Sequence, residues 1–228
     1  MRVLLLGAYP PPHGGVQRNV ADLRAYLLAR GISCEVVNLS RHRREEHDGI
    51  HYPSGALGTL RRMLAGYDLL HLHIGGKLTL RLLGLSLACT LVPGTRSVLT
   101  FHSGGYPGWP EGRTAGRRTL RGFVFRRMDR IIAVNEQIAE LFRRFGVPAG
   151  RIRLIPPYAL PGEWPQEPLP PRLREFYESH SPVLLTVGLL EPEYDLAMQV
   201  RCLARWRRDL PRAGLVIVGS GSLEEELK

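Results

Sequence analysis

The chain has 228 residues, 44% of them apolar and 23% charged, ordinary globular proportions that predict a packed core and exclude a disordered chain. Its formal net charge of +10 is nearly all arginine, since Lys77 and Lys228 are the lysines present, and it has two readings: a compositional bias, or attraction to phosphate, acidic lipid or nucleic acid. Cys34, Cys89 and Cys202 are scattered without metal-ligand or redox spacing, which excludes a disulfide framework and fits a reducing cytoplasm.

Residues 3–6 form a short apolar run ended by Gly7 and a proline-rich loop, the pattern of a strand buried on both faces and too short for a signal peptide. Val16, Val20, Leu23 and Leu27 then repeat at helical spacing, with Gly31 placed to end that helix. A strand is expected at 34–39 and a charged, solvated loop at 41–48. The alternation continues with a helix at 57–64, a strand at 69–74, an apolar helix at 78–91 and a strand at 98–101. A basic helix is expected at 113–128, a strand at 131–134, a helix to Phe145 capped by Asn135 and closed by Gly146, and a strand at 152–155. The longest apolar stretch, 82–92, falls short of the roughly 20 residues a membrane-spanning helix needs.

Strands separated by helical crossovers predict an α/β fold, a doubly wound parallel sheet with helices on both faces. Ligands in such sheets bind beyond the carboxyl ends of the strands, here the loops starting at Tyr9, Ile74, His102 and Asn135. The predicted organisation is a Rossmann-like domain over 1–160, a proline-rich linker over 161–180 that interrupts helix and strand, and the beginning of a second domain over 181–228. Strands at 183–187 and 215–218, a helix at 196–206 and a helix opening at Ser222 are too little for an independent doubly wound sheet. A fragment of a longer protein is therefore expected.

The loop Pro10-Pro11-Pro12-His13-Gly14-Gly15 leads into a helix. Paired glycines allow close backbone approach, and a helix start offers free N–H groups to a phosphate or diphosphate; a plain tight turn is the alternative. The dehydrogenase spacing Gly-x-Gly-x-x-Gly is absent there. His102 follows a buried strand and precedes Gly104-Gly105, so it is either structural or a donor to a sugar hydroxyl or phosphate. His71 and His73 share one side of a strand, but no third ligand has sensible spacing, so packing is preferred over metal binding.

Several stretches, in order, resemble the N-terminal half of glycosyltransferase family 4. They are Pro11-Pro12-His13-Gly14-Gly15-Val16-Gln17, Tyr67-Asp68-Leu69-Leu70-His71-Leu72-His73, Leu99-Thr100-Phe101-His102-Ser103, Arg130-Ile131-Ile132-Ala133-Val134-Asn135-Glu136, and Gly146-Val147-Pro148 through Ile152-Arg153-Leu154-Ile155-Pro156. Leu185-Thr186-Val187-Gly188-Leu189-Leu190 and Leu215-Val216-Ile217-Val218-Gly219-Ser220-Gly221 resemble the opening strands of that family's donor domain.

The resemblance implies a two-domain GT-B fold and transfer of a sugar from a nucleotide-sugar to an acceptor hydroxyl, with retention and without a metal or other cofactor. It places Gly14 and Gly15 against the donor diphosphate, His102 beside the transferred sugar, and His13 and Asn135 on the acceptor side. The family carries an arginine and a lysine where this chain has Leu189 and Tyr194, and its C-terminal glutamate pair would fall beyond Lys228. The expected setting is cell-envelope or exopolysaccharide synthesis on a glycan or lipid-linked acceptor at the inner membrane face. A non-catalytic assembly subunit and a sugar-nucleotide epimerase are the alternatives.

The basic segment adds Arg113, Arg117, Arg118, Arg121, Arg126, Arg127 and Arg130, with Leu120, Phe123, Val124 and Met128 as an apolar stripe. It reads either as a core-facing helix with a solvated side or as a peripheral docking face for an anionic bilayer. Nucleic acid is not expected, because no aromatic-interleaved patch or reader motif accompanies the charge.

Overall fold

The computed structural model describes residues 1–11, 13–40, 47–157 and 168–227, in two compact units, 1–161 and 162–228. The charged loop expected at 41–48 lies mostly outside the described residues, as do Pro12 and the stretch 158–167.

In the first unit the apolar runs pair in parallel. Strands β1 (Arg2–Gly7), β2 (Ser33–Asn38), β3 (Ile50–His51), β4 (Leu69–Ile74), β5 (Arg96–Phe101), β6 (Arg130–Ala133) and β7 (Ile152–Leu154) form a seven-stranded sheet in the order β3-β2-β1-β4-β5-β6-β7. The order reverses between β1 and β4, so the loops leaving those two strands diverge and open a crevice at their carboxyl ends. The two-residue edge strand β3 has no counterpart among the expected elements.

Alternation along each strand divides the core. Leu4, Leu6, Leu70, Leu72, Leu99 and Phe101 face one side, against residues of α2 (Gly55–Met63), α3 (Leu80–Cys89), α5 (Leu120–Phe125) and α6 (Glu136–Arg144). Val3, Leu5 and Val36 face the other, against Val20 of α1 (Gly15–Leu28). Among the described residues of this unit, α1 is the helix packed on that second side, and it leaves the sheet open toward β5, β6 and β7.

Asn135 caps α6 as expected, its Oδ1 accepting the Ile138 N–H at 2.9 Å, and Gly146 closes the turn at φ +83°. The single basic helix expected at 113–128 does not form. The chain makes the short helix α4 (Pro110–Arg113), turns, and restarts at α5, where the Thr119 hydroxyl accepts the Gly122 N–H. A Cβ on Gly122 would lie 2.5 Å from the Gly116 carbonyl oxygen, so the turn packs directly on α5. The apolar stripe is accordingly split: Val124 and Met128 are buried, while Leu120 and Phe123 remain exposed.

The second unit contains α7 (Pro171–Ser179), then β8 (Val183–Val187), α8 (Leu196–Trp206), β9 (Gly214–Val218) and the short α9 (Glu224–Leu227); β8 and β9 pair in parallel. Helix α7 falls inside the segment expected to interrupt helix. Pro171 occupies its first turn, where a missing N–H costs nothing and a fixed φ helps. Among the described residues no helix is long and apolar enough to cross a membrane. All three cysteines are free, and burial pushes the thiols of Cys34 and Cys89 up to about 11 and about 12, which makes them inert packing groups.

Glu35 of β2 is the polar knot near the sheet's β3 edge. Its Oε2 accepts from His51 Nε2 at 2.7 Å and from the Tyr67 hydroxyl at 2.9 Å. Arg62 Nη2 lies 3.0 Å from His51 Nδ1, and because a guanidinium only donates, His51 must present its N–H to Glu35. Burial opposes the charge, yet the bonds from His51, Tyr67 and Arg2 hold the Glu35 carboxyl below its ordinary value. Glu35→Ala removes the acceptor of the His51 Nε2 proton and of the Tyr67 hydroxyl proton, so urea unfolding of the first unit should show a loss of about 2–4 kcal/mol. An unchanged midpoint would contradict this role.

Candidate functional site

The crevice at the carboxyl ends of β1, β4 and β5 brings the expected site residues to one sheet edge. A Cβ on Gly75, just after β4, would lie 2.7 Å from Val16 Cγ2, so the first turn of α1 rests directly on the end of β4. One residue earlier, the Ile74 carbonyl accepts the His102 N–H at 2.7 Å. The glycine corner at Gly14-Gly15 and the His102 backbone therefore flank the same strand terminus. Gly14 is the extended cap residue of α1, and a Cβ on Gly15 would meet nothing within 4 Å, so its backbone faces open space.

His102 is tied to a partner 29 residues away. His71, His73, Thr100 and His102 project from the same face of β4 and β5, with His73 opposite Thr100 in register. Gly7 makes room for the His73 ring, since a Cβ there would lie 3.0 Å from His73 Cβ. His71 Nε2 lies 2.7 Å from the Thr100 hydroxyl, and His73 Nδ1 lies 3.2 Å from His102 Nε2.

His73 Nε2 is buried without a partner. Leaving a lone pair there is cheaper than burying an orphaned N–H. His73 therefore donates from Nδ1, His102 Nε2 accepts, and the remaining proton of neutral His102 sits on Nδ1. That atom has no protein partner among the described residues, so it can donate to an oxygen of a bound sugar or phosphate. Burial lowers His71 to about 3, His102 to about 4 and His73 well below its ordinary value, which keeps the three rings neutral at physiological pH.

Beside these rings lies a cavity of about 510 Å³. Its polar wall includes Asn19 and Asp22 of α1 as well as the histidines, and Ile132, Val134 and Ile155 supply the apolar wall. Asn19, Asp22 and His73 were not among the expected site residues. The available signals were two pairs at strand spacing, His71-x-His73 and Thr100-x-His102, and a polar pair inside the apolar stripe of α1. Among the described residues no group of three or more histidine, cysteine or carboxylate side chains is arranged to hold a metal ion.

The other expected residues fall out variously. His13 is exposed in the loop before the glycine corner. Asn135 spends its Oδ1 on the helix cap and turns Nδ2 toward Gly104, where a Cβ would stand 3.7 Å away. Arg113, Arg117 and Arg118 are exposed, whereas Arg126 bonds the Phe145 carbonyl at 3.3 Å and Arg127 reaches Thr90 at 3.3 Å. In the second unit the Tyr194 ring lies 3.7 Å from the Cβ position of Gly188, so an aromatic ring flanks the turn after β8. Glu191 in the same turn accepts the Ser222 N–H at 3.1 Å and its hydroxyl at 2.7 Å.

A doubly wound first unit with a glycine corner at its switch point, followed by a second β-α-β unit, defines the GT-B architecture of glycosyltransferases. The chain belongs to glycosyltransferase family 4, whose model, Glycosyltransferase Family 4, matches residues 13–158. No curated protein matches it. Similar solved structures include Anabaena HepE in complex with UDP-glucose, at 16% identity and a TM-score of 0.61, covering 99% of this chain and 62% of that one. An alpha-glucosyltransferase in complex with UDP-glucose and DNA containing an abasic site is 13% identical, with a TM-score of 0.59 and coverage of 96% and 57%. A putative UDP-N-acetylglucosamine 2-epimerase from Listeria monocytogenes is 13% identical, with a TM-score of 0.53 and coverage of 94% and 61%. The chain thus spans less than two thirds of the length of each of these relatives.

Proposed function

We propose that the protein contributes the acceptor-side domain of a retaining glycosyltransferase that moves a sugar from a nucleotide-sugar to an acceptor hydroxyl. The observation that carries this reading is the glycine corner and the His102 imidazole flanking one strand terminus, beside a cavity of about 510 Å³. The free N–H groups and positive dipole end of α1 suit the donor diphosphate, and the open side of Gly15 lets a ligand reach them. His102 Nδ1 donates to the sugar, while His13 and the Nδ2 of Asn135 line the acceptor's approach. In the transfer, the bond from the anomeric carbon to the diphosphate breaks and a bond to the acceptor oxygen forms. The acceptor proton leaves with the diphosphate, and no metal is required. The UDP-glucose complex of HepE supports a nucleotide-sugar donor on this fold.

The acceptor is a glycan or lipid-linked glycan of envelope or exopolysaccharide synthesis, met on the cytoplasmic face of a membrane. Exposed Arg113, Arg117 and Arg118, with Arg121, would then face the anionic surface.

Gly15→Val is the test, made in the whole protein. The added side chain enters open space, so thermal stability should stay within about 1 kcal/mol, while affinity for the nucleotide-sugar falls at least about tenfold. Unchanged affinity would contradict the diphosphate site. A second reading, a binding or assembly subunit, is favoured by one observation: the turn after β8 presents Leu189, Tyr194 and Glu191, which offer no cation to a diphosphate. If the whole protein binds no nucleoside diphosphate in calorimetry, that second reading holds. The Listeria relative supports a third, epimerisation, which would release an altered sugar-nucleotide without any acceptor.

A further inference from the structure

On the side of the sheet away from His102, two cavities adjoin. The larger, about 520 Å³, runs between α2 and α3 with Leu60, Met63, Leu82 and Leu85 on its walls. The smaller, about 220 Å³, sits at the end of β2 and is polar, with Asn38, Ser40 and Tyr52. Leu39, Thr59 and Arg81 line both, so an apolar trough opens directly into a polar head pocket. Asn38 is locked by its neighbours: its Oδ1 accepts from the Tyr9 N–H at 3.1 Å and the Ser40 N–H at 2.9 Å, and its Nδ2 donates to the Tyr9 carbonyl at 3.2 Å. The head pocket is therefore built before any ligand arrives.

Two further features indicate what fits. Arg81 is exposed and makes no hydrogen bond or ion pair among the described residues. Among the described residues no carboxylate lines either cavity; between residues 53 and 91 the acid is Asp68, which is spent at the opposite end of β4 on the Arg2 N–H. Leu57, Leu64 and Leu80 extend the apolar surface beyond the trough, being 67%, 56% and 80% exposed. A second copy of this chain would bring its own positive charge to a basic face, and an apolar protein segment would bury the Arg81 guanidinium without a counter-charge.

We propose that these joined cavities bind an amphiphile with one long apolar chain and a phosphate head, the tail between α2 and α3 and the phosphate at Arg81. The trough is within the about 300–1,000 Å³ of ordinary ligand pockets. The head pocket, at the end of β2, is three strand spacings, about 14 Å along the sheet edge, from the end of β5, and lies on the opposite face. A lipid phosphate held there could present an attached sugar toward His102. That use as an acceptor anchor rests on the sugar-transfer reading, whereas the binding itself does not.

The test titrates the 228-residue chain, without nucleotide-sugar, with farnesyl phosphate, farnesol and inorganic phosphate below the micellar range, by calorimetry. Farnesyl phosphate should bind, farnesol about tenfold more weakly, and inorganic phosphate should not compete at equal concentration. Arg81→Gln should remove the advantage of the phosphate over the alcohol. Gly84 lines the trough, and a Cβ there meets nothing within 4 Å, so Gly84→Trp should fill the trough, keep the fold by circular dichroism and weaken both ligands at least about tenfold. No binding by the wild type, equal affinity for phosphate and alcohol, or a folded Gly84→Trp variant that binds like the wild type would each overturn the proposal. Because no donor is present, its failure leaves the sugar-transfer reading to be judged on its own assays.

Discussion

His102→Ala in the whole protein is expected to lower kcat/KM for sugar transfer by about 10²–10³-fold while leaving the melting temperature nearly unchanged. The size follows from removing one aimed donor from a partly dehydrated site, typically worth about 3–4 kcal/mol in the transition state. His102 lies at a strand end and is only half-buried, so its loss opens no large core cavity. His73→Phe should give a smaller loss of the same kind. It removes the Nδ1 donor 3.2 Å from His102 Nε2 and frees the proton of His102 to sit on either nitrogen. Turnover that is the same in wild type and His102→Ala would remove His102 from the reaction.

The second large effect is acid destabilisation of the first unit. In the unfolded chain the three imidazoles titrate near 6.5, whereas in the folded chain burial holds His71 at about 3, His102 at about 4 and His73 well below 6.5. Between those limits the unfolded state binds more protons than the folded state, so stability is full above 6.5 and is lost as the pH falls toward 4. Each group contributes about 1.4 kcal/mol per pH unit in that window, and the three together about 4. Asp22, an acid lining the cavity, offers little relief, because Arg18 pairs with it at 2.9 Å. Urea unfolding at about pH 6.5 and about pH 5 should differ by about 3–5 kcal/mol, and His71→Gln should remove roughly a third of that difference. Stability that is flat across this range would mean that the three rings titrate in the fold as they do in the unfolded chain.

Much of the sheet was legible because a parallel strand buried on both faces leaves a continuous apolar run, as at Val3, Leu4, Leu5 and Leu6. The edge strand Ile50–His51 was not, since two residues hydrogen-bonded on one side carry no period. The basic segment misled because Leu120, Phe123 and Val124 keep helical spacing. The break is made by the Thr119 cap and by the contact of Gly116 with Gly122, a tertiary event hidden in an arginine-rich stretch. Proline marked 161–180 as interrupted, yet Pro171 starts a helix instead of ending one.

At the site, the glycine corner and His102 were legible from the residues at strand ends. The tie between His73 and His102 was not, because it joins positions 29 apart through the register of β4 against β5. The trough between α2 and α3 was equally hidden. Leu60, Leu82 and Leu85 read as core positions, and only the spacing of α2 from α3 leaves them lining a groove.

Amide chemical-shift mapping of the whole protein titrated with UDP-glucose probes the site most directly. Sugar transfer at this edge predicts the largest changes at Gly14, Gly15 and Val16 and at His102 to Gly104. Saturable binding whose shifts leave both loops untouched would contradict it.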